Sequence, residues 1–121
     1  MDEKTKKKIL IVDDEEGIRE ILAFAFEMEG YPVSTAADGS EAFEKVFADV
    51  IDVVITDIRM PKKDGLTLLK EIRQKHQKLP FVIVMTAYSE FSEQEITDMG
   101  AVGLLQKPID LNKLIKFVEA L

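Results

Sequence analysis

Four short stretches hold the side chains best suited to chemistry: Asp13-Asp14-Glu15-Glu16, Asp57-Ile58-Arg59-Met60-Pro61, Met85-Thr86-Ala87-Tyr88 and Gln106-Lys107-Pro108. Each follows directly on a short apolar run. Unpaired carboxylates brought into one pocket repel by several kcal/mol at ~4 Å, with an effective dielectric of about 20. A proton or a cation must settle that repulsion. An all-oxygen acidic cluster suits Mg²⁺, which usually takes one or two carboxylates and keeps water or phosphate oxygens as its other ligands. Lys107 adds a mobile positive charge and Thr86 a hydroxyl donor, so the set offers a phosphoryl group a metal, an ammonium and a hydroxyl. A carboxylate serves as nucleophile in such a site and yields an acyl phosphate. Asp57, alone after the middle run, is the best placed to do so. Taken singly the same residues have plainer readings: Asp13 and Asp14 as a strand end and helix cap, Thr86 as a strand residue, Lys107 as a solvated lysine.

The elements that must bring these residues together are legible in the hydropathy pattern. Branched apolar runs recur at Ile9–Val12, Val33–Ala36, Val53–Thr56, Phe81–Met85 and, more weakly, Gly103–Gln106. The third and fourth are apolar nearly throughout, as in parallel strands covered on both faces. Between them lie stripes at helical spacing. Ile18, Ile21, Leu22, Ala25 and Met28 form the first, stopped by Gly30. Asp38 with Glu41 opens the second, which turns Ala42, Phe43, Val46 and Phe47 inward. Leu66, Leu69 and Ile72 mark the third. Ser92 with Glu95 opens a fourth, whose inward face has only Ile96 and Met99. Asp110 caps the fifth, with Leu111, Leu114, Ile115, Val118 and Leu121. Five alternations of strand and helix predict an α/β doubly wound parallel sheet, with its working site outside the carboxyl ends of the strands. That arrangement gathers Asp13, Asp14, Asp57, Thr86 and Lys107 on one edge.

Composition narrows the field. The chain has 121 residues, 23 acidic and 16 basic, for a net charge of −7. That length fits one domain, 1–121. The acidity argues against direct nucleic-acid binding. The absence of cysteine excludes disulfides, thiolate metal sites and cysteine nucleophiles. The sole histidine, His76, lies in a polar stretch and reads as solvated, as does the basic lead-in Lys4, Lys6, Lys7 and Lys8. The longest apolar run, Ile21 to Phe26, is far short of the ~20 residues a membrane span needs. Met1 to Lys8 lacks the apolar stretch of a secretory signal, so a soluble intracellular domain is expected. Phe24, Phe26 and Met28 read as core or rim packing.

With these residues in view, the chain resembles a bacterial two-component response-regulator receiver domain over essentially its whole length. The motifs that carry the resemblance are Ile9-Leu10-Ile11-Val12-Asp13-Asp14-Glu15, Asp57-Ile58-Arg59-Met60-Pro61 with Asp64-Gly65, Met85-Thr86-Ala87-Tyr88, and Lys107-Pro108. The resemblance implies a flavodoxin-like sheet of order 2-1-3-4-5 flanked by five helices. It implies Asp57 as phospho-acceptor, and Mg²⁺ held by Asp14, Asp57 and the backbone carbonyl of Arg59, with Asp13 acting through water. Thr86 and Lys107 would contact the phosphoryl group, and Arg59 and Tyr88 would flank it and tune its hydrolysis. A cis Lys107–Pro108 bond is implied as well. Many receivers carry Tyr or Phe at the switch position three residues before the lysine, where this chain has Leu104.

The implied partners are a sensor histidine kinase or histidine phosphotransfer domain, and a downstream protein or attached effector domain. The implied output is a cytoplasmic signalling switch, or phosphorelay step, whose fourth helix, fifth strand and fifth helix change on phosphorylation. That same face is a candidate dimer contact. The domain would catalyse its own phosphorylation and dephosphorylation without being a conventional turnover enzyme. Two rival readings are a Mg²⁺-dependent aspartyl phosphatase and an unphosphorylated docking module. The first characteristically needs a second Asp where Arg59 stands. The second has no use for the intact Asp13, Asp14, Asp57, Thr86 and Lys107 set.

Overall fold

Branched apolar residues dominate the inner strands, and capping side chains start most of the helices between them. In the computed structural model, which describes residues 6–87 and 90–121, ten elements alternate. They are β1 (Ile9–Val12), α1 (Glu16–Met28), β2 (Val33–Ala36), α2 (Gly39–Ala48), β3 (Val53–Asp57), α3 (Gly65–Lys75), β4 (Phe81–Thr86), α4 (Glu93–Asp98), β5 (Gly103–Gln106) and α5 (Leu111–Glu119). The five strands are parallel, in the order β2-β1-β3-β4-β5. β3 and β4 each run one residue further than their apolar runs predict, so Asp57 and Thr86 are the last residues of their strands.

Alternation along the strands divides the interior in two. Leu10, Val12, Val54, Val82 and Val84 face α2, α3 and α4, where they meet Ala42, Val46, Leu68, Leu69, Ile72 and Ile96. Ile9, Ile11, Val53, Ile55, Ile83 and Met85 face α1 and α5, where they meet Leu22, Phe26, Leu114 and Val118. Both faces of β1, β3 and β4 are sealed from water, which is why those runs carry no polar alternation.

Most caps match expectation, with informative exceptions. Asp38 accepts from the Glu41 N–H at 2.8 Å, but Glu41 reaches past it to the Ala37 N–H at 2.9 Å. Asp110 accepts from Lys113 and Ser92 with Glu95 completes a reciprocal box, while Asp64, which the spacing did not mark as a cap, accepts from Thr67. α1 has no side-chain cap at all. Asp13 bonds the N–H of Glu15, two residues on, ahead of the helix. The expected first stripe is rotated: Leu22 and Phe26 are buried, while Ile21, Phe24 and Met28 are 57%, 63% and 69% exposed. The cause is Phe26, which closes the inward line one turn after Leu22 and packs edge-on to Tyr31 at 5.5 Å between ring centroids. His76 is exposed and stacks on Phe47 at 5.3 Å, and Lys6 lies 4.7 Å over the Tyr31 ring, so neither is merely solvated. Lys4 is outside the described residues.

The loop after β3 turns back so tightly that the Gly65 N–H bonds the Ile58 carbonyl at 2.8 Å. A Cβ on Gly65 would sit 2.0 Å from the Asp57 carbonyl oxygen, closer than any real contact. Gly65→Ala therefore forces the α3 start and the Asp57 backbone apart, and we expect a loss of ~1–3 kcal/mol, read from urea unfolding.

Candidate functional site

The sheet order reverses between β1 and β3, and the site centres on the carboxyl ends of those neighbours, with β4 and β5 adding Thr86 and Lys107. Parallel register sets Val12 beside Thr56, Asp57 beside Met85 and Thr86 beside Gln106. The residues that follow or end these strands therefore converge. Asp13 is fully buried, Asp57 is 8% and Thr86 2% exposed, and Asp14 is exposed. One ligand oxygen from each of Asp13, Asp14 and Asp57 lies within 4.8 Å of the other two, the one such acidic group among the described residues.

Both buried carboxylates are held the same way. Asp13 Oδ1 accepts from the Glu15 N–H at 2.9 Å, and Asp57 Oδ1 accepts from the Ile58 N–H at 2.8 Å. Their Oδ2 atoms share Lys107 Nζ, at 3.0 Å each. Glu15 stands farther off, 3.9 Å from the same ammonium and mostly in solvent. The Lys107 backbone is itself anchored, since its N–H donates to the Thr86 carbonyl at 2.8 Å. Thr56 Oγ1 donates to the Asp57 carbonyl at 2.9 Å, which ties down β3 at its last residue. The Lys107–Pro108 bond is cis.

With all three aspartates ionised, three carboxylates against one ammonium leave two negative charges, the charge of one divalent cation. Oxygen ligands, two of them buried and pre-oriented by amides, form a donor set suited to Mg²⁺. The same imbalance shows in the ionisation of the groups. Burial pushes the Asp57 carboxyl up, with Asp13 adding to the rise, and this outweighs the pull of Lys107 and the Ile58 amide. Burial alone would lower Lys107, but hydrogen bonds and charge from Asp13 and Asp57 carry it above the usual lysine value. One ammonium serves two carboxylates, so it is held firmly while neither anion is fully compensated.

Around this centre the other sequence candidates take separate places. The Arg59 side chain is exposed and paired with Glu90, a partner that sequence spacing did not suggest. Leu104 lies beside Val84 in the sheet, partly buried against the cluster that includes Ile96. Pro108 is exposed at the rim. Tyr88 is outside the described residues. Next to Lys107, an apolar groove of about 480 Å³ runs past Ala87 and Pro108 between Ile18, Ile21 and Leu22 on α1 and Ile109 and Leu111 before and in α5. Hydropathy missed this groove because it read Ile21 as core.

An open five-stranded parallel sheet with a buried acidic cluster at its switch point defines a doubly wound protein of the receiver type. The family described as the response regulator receiver domain matches residues 9–119, and the chain belongs to that family. Regulatory protein AtoC of Escherichia coli (strain K12) is 43% identical over 114 residues, 93% of this chain and 24% of AtoC. The alkaline phosphatase synthesis transcriptional regulatory protein PhoP of Bacillus subtilis (strain 168) is 35% identical over 115 residues, 95% of this chain and 48% of PhoP. The chain thus spans from a quarter to a half of the length of these curated relatives. Among solved structures, response regulator protein TrrA of Thermotoga maritima, in complex with Mg²⁺-BeF, is 38% identical with a TM-score of 0.83, over 94% of this chain and 97% of TrrA. Among the described residues no helix is long and apolar enough to cross a membrane.

The raised Asp57 carboxyl has a definite consequence for stability. The folded protein binds this proton more tightly than the unfolded chain, so the stability the group contributes is greatest in acid and falls as pH rises through and above the ordinary carboxylate range. Asp57→Asn cannot ionise and escapes that fall. In EDTA we expect the variant to melt higher than wild type at neutral pH, with the gap narrowing on acidification. Thermal midpoints recorded against pH check this.

Proposed function

We propose that the chain is a phosphorylation-dependent signalling switch in which Asp57 accepts a phosphoryl group from a phosphohistidine on a partner protein. The observation that carries this reading is the Asp57 carboxylate itself: nearly buried, at the end of the central strand, with Lys107 Nζ 3.0 Å from Oδ2 and two further carboxylates beside it. A sensor histidine kinase or histidine phosphotransfer domain would supply that phosphohistidine. The solved relative TrrA, in complex with Mg²⁺-BeF, supports a magnesium ion and a phosphoryl-like group in the corresponding site of this chain.

In this reading Asp14, Asp57 and the Arg59 backbone carbonyl hold Mg²⁺, with Asp13 engaged through water. Bound there, the ion supplies charge neutralisation that lets an anionic phosphoryl group approach carboxylates. An Asp57 oxygen attacks phosphorus in line as the phosphorus–nitrogen bond to the imidazole breaks, and the imidazole departs with a proton. Lys107 then pairs with a phosphoryl oxygen, and the Thr86 hydroxyl donates to another. The groove along α1 and α5 gives the donor an apolar seat beside the reacting carboxylate.

The response follows from what is weakly held. α4 has six residues, and Ile96 is its one buried side chain, with Met99 packed partly against the same cluster. Movement of Thr86 and Lys107 toward the phosphoryl group biases α4, β5 and α5 toward a second arrangement. Leu104, next to Val84, adjusts by repacking where an aromatic ring would swing. The output passes to a downstream protein or an attached effector domain, in the cytoplasm, and the α4–β5–α5 face serves a dimer or that partner. The domain acts once per phosphoryl group, without multiple turnover of a free substrate.

Incubation with Mg²⁺ and a small acyl-phosphate donor should add one phosphoryl group to the wild type and none to Asp57→Ala, as read by intact mass. Removal of Mg²⁺ with EDTA should slow the labelling by roughly a hundredfold or more. An unlabelled wild type, or a labelled Asp57→Ala, overturns the proposal. Independently of labelling, Mg²⁺ at roughly a hundredfold excess over its dissociation constant should stabilise the fold by about 2.7 kcal/mol. Asp14→Asn should lose most of that gain in a calorimetric or urea-melt titration.

A further inference from the structure

Beside the acidic cluster, the loops that leave β3 and β4 are tied together by the ion pair between Arg59 and Glu90. β3 and β4 are adjacent strands, and Asp57 pairs with Met85 in their register. Arg59 stands two residues beyond Asp57, and Glu90 four beyond Thr86. The pair therefore spans the exits of the strands that present the acceptor carboxylate and the hydroxyl. It borders a depression of about 320 Å³ lined also by Ile58, Met60, Asp64 and Phe91. Ile58, one of its lining residues, is also the residue whose N–H holds Asp57 Oδ1.

A guanidinium presents the same fork of donors to a carboxylate and to a phosphoryl group. Phosphorylation of Asp57 would place roughly 1.5–2 negative charges two residues from Arg59. Glu90 and the phosphoryl oxygens then compete for one cation. Both members of the pair are about half exposed, 55% for Arg59 and 49% for Glu90, so their attraction is screened and modest.

We propose that Glu90 is a positioning residue that holds the Arg59 guanidinium at the rim and so shortens the lifetime of the acyl phosphate on Asp57. This rests on the phosphoryl-transfer reading given above. In the hydrolysis a water oxygen attacks phosphorus, the bond from phosphorus to the Asp57 oxygen breaks, inorganic phosphate leaves, and the water's proton passes to solvent. With Arg59 drawn aside by Glu90, the approach of that water stays open. Without the Glu90 charge, Arg59 moves onto the phosphoryl oxygens, both stabilising the anion and covering it.

The test follows loss of the phosphoryl group by intact mass, after wild type and variants are loaded with acetyl phosphate and Mg²⁺ and the donor is removed. Glu90→Gln should lengthen the lifetime roughly two- to fivefold, the range an exposed pair supports. Glu90→Asp, which keeps the charge, should stay near wild type. The same substitution, Glu90→Gln, made in an Arg59→Ala background should change nothing further, and the wild-type difference should shrink in 1 M salt. An equal lifetime in Glu90→Gln and wild type overturns the inference. So does an equal lengthening with Arg59 absent, because Glu90 would then act through the loop and not through the guanidinium. A wild type that takes up no phosphoryl group instead brings down the underlying functional reading, and this inference with it.

Discussion

One ammonium divided between two buried carboxylates is the constraint on which the site depends. Lys107 reaches across from the end of β5 to Asp13 after β1 and Asp57 at the end of β3, and it bonds both at 3.0 Å. The pairing is possible only because the strand order places β3 between β1 and β4 and brings three distant parts of the chain to one edge. Two carboxylates buried without a cation would not tolerate each other. One lysine suffices to let the chain fold, and it leaves the cluster anionic enough to want a divalent ion. The same incomplete neutralisation that costs stability creates receptivity to a cation.

Backbone groups do the aiming. Each buried carboxylate gives one oxygen to an amide and keeps the other for Lys107, so neither rotates freely. The Thr86 carbonyl accepts from the Lys107 amide, which couples the hydroxyl-bearing strand end to the lysine before any ligand is present. A displacement of either residue is thus transmitted to the other through the main chain. Gly65 completes the frame by allowing α3 to begin against the Asp57 carbonyl.

Much of this was legible in the sequence, for reasons that can be named. Strands buried on both faces leave long unbroken apolar runs, and charged residues placed directly after such runs stand out because nothing in packing calls for them. Caps at Asp38, Ser92 and Asp110 follow from local backbone needs alone. What escaped was tertiary. Periodicity placed Ile21 and Met28 inside, because it weighs hydropathy without knowing how narrow a strip of α1 meets the sheet; Phe26 and Tyr31 claimed that strip. The Arg59–Glu90 pair joins two loops 31 residues apart, and no periodic signal encodes such a contact. His76 read as solvated because its stacking partner, Phe47, belongs to a different helix.

The division of the interior by the sheet has a wider consequence. The layer beneath α2, α3 and α4 and the layer beneath α1 and α5 are built from opposite faces of the same strands and draw on alternate residues. Side chains around Ile96 and Leu104 occupy the first layer, whereas Ile18, Leu22, Ile109 and Leu111 beside Lys107 belong to the second. Substitutions in one layer can therefore accumulate without repacking the other, provided the strands keep their alternation. The two interiors are separate rooms that share one wall, and a lineage is free to refurnish either.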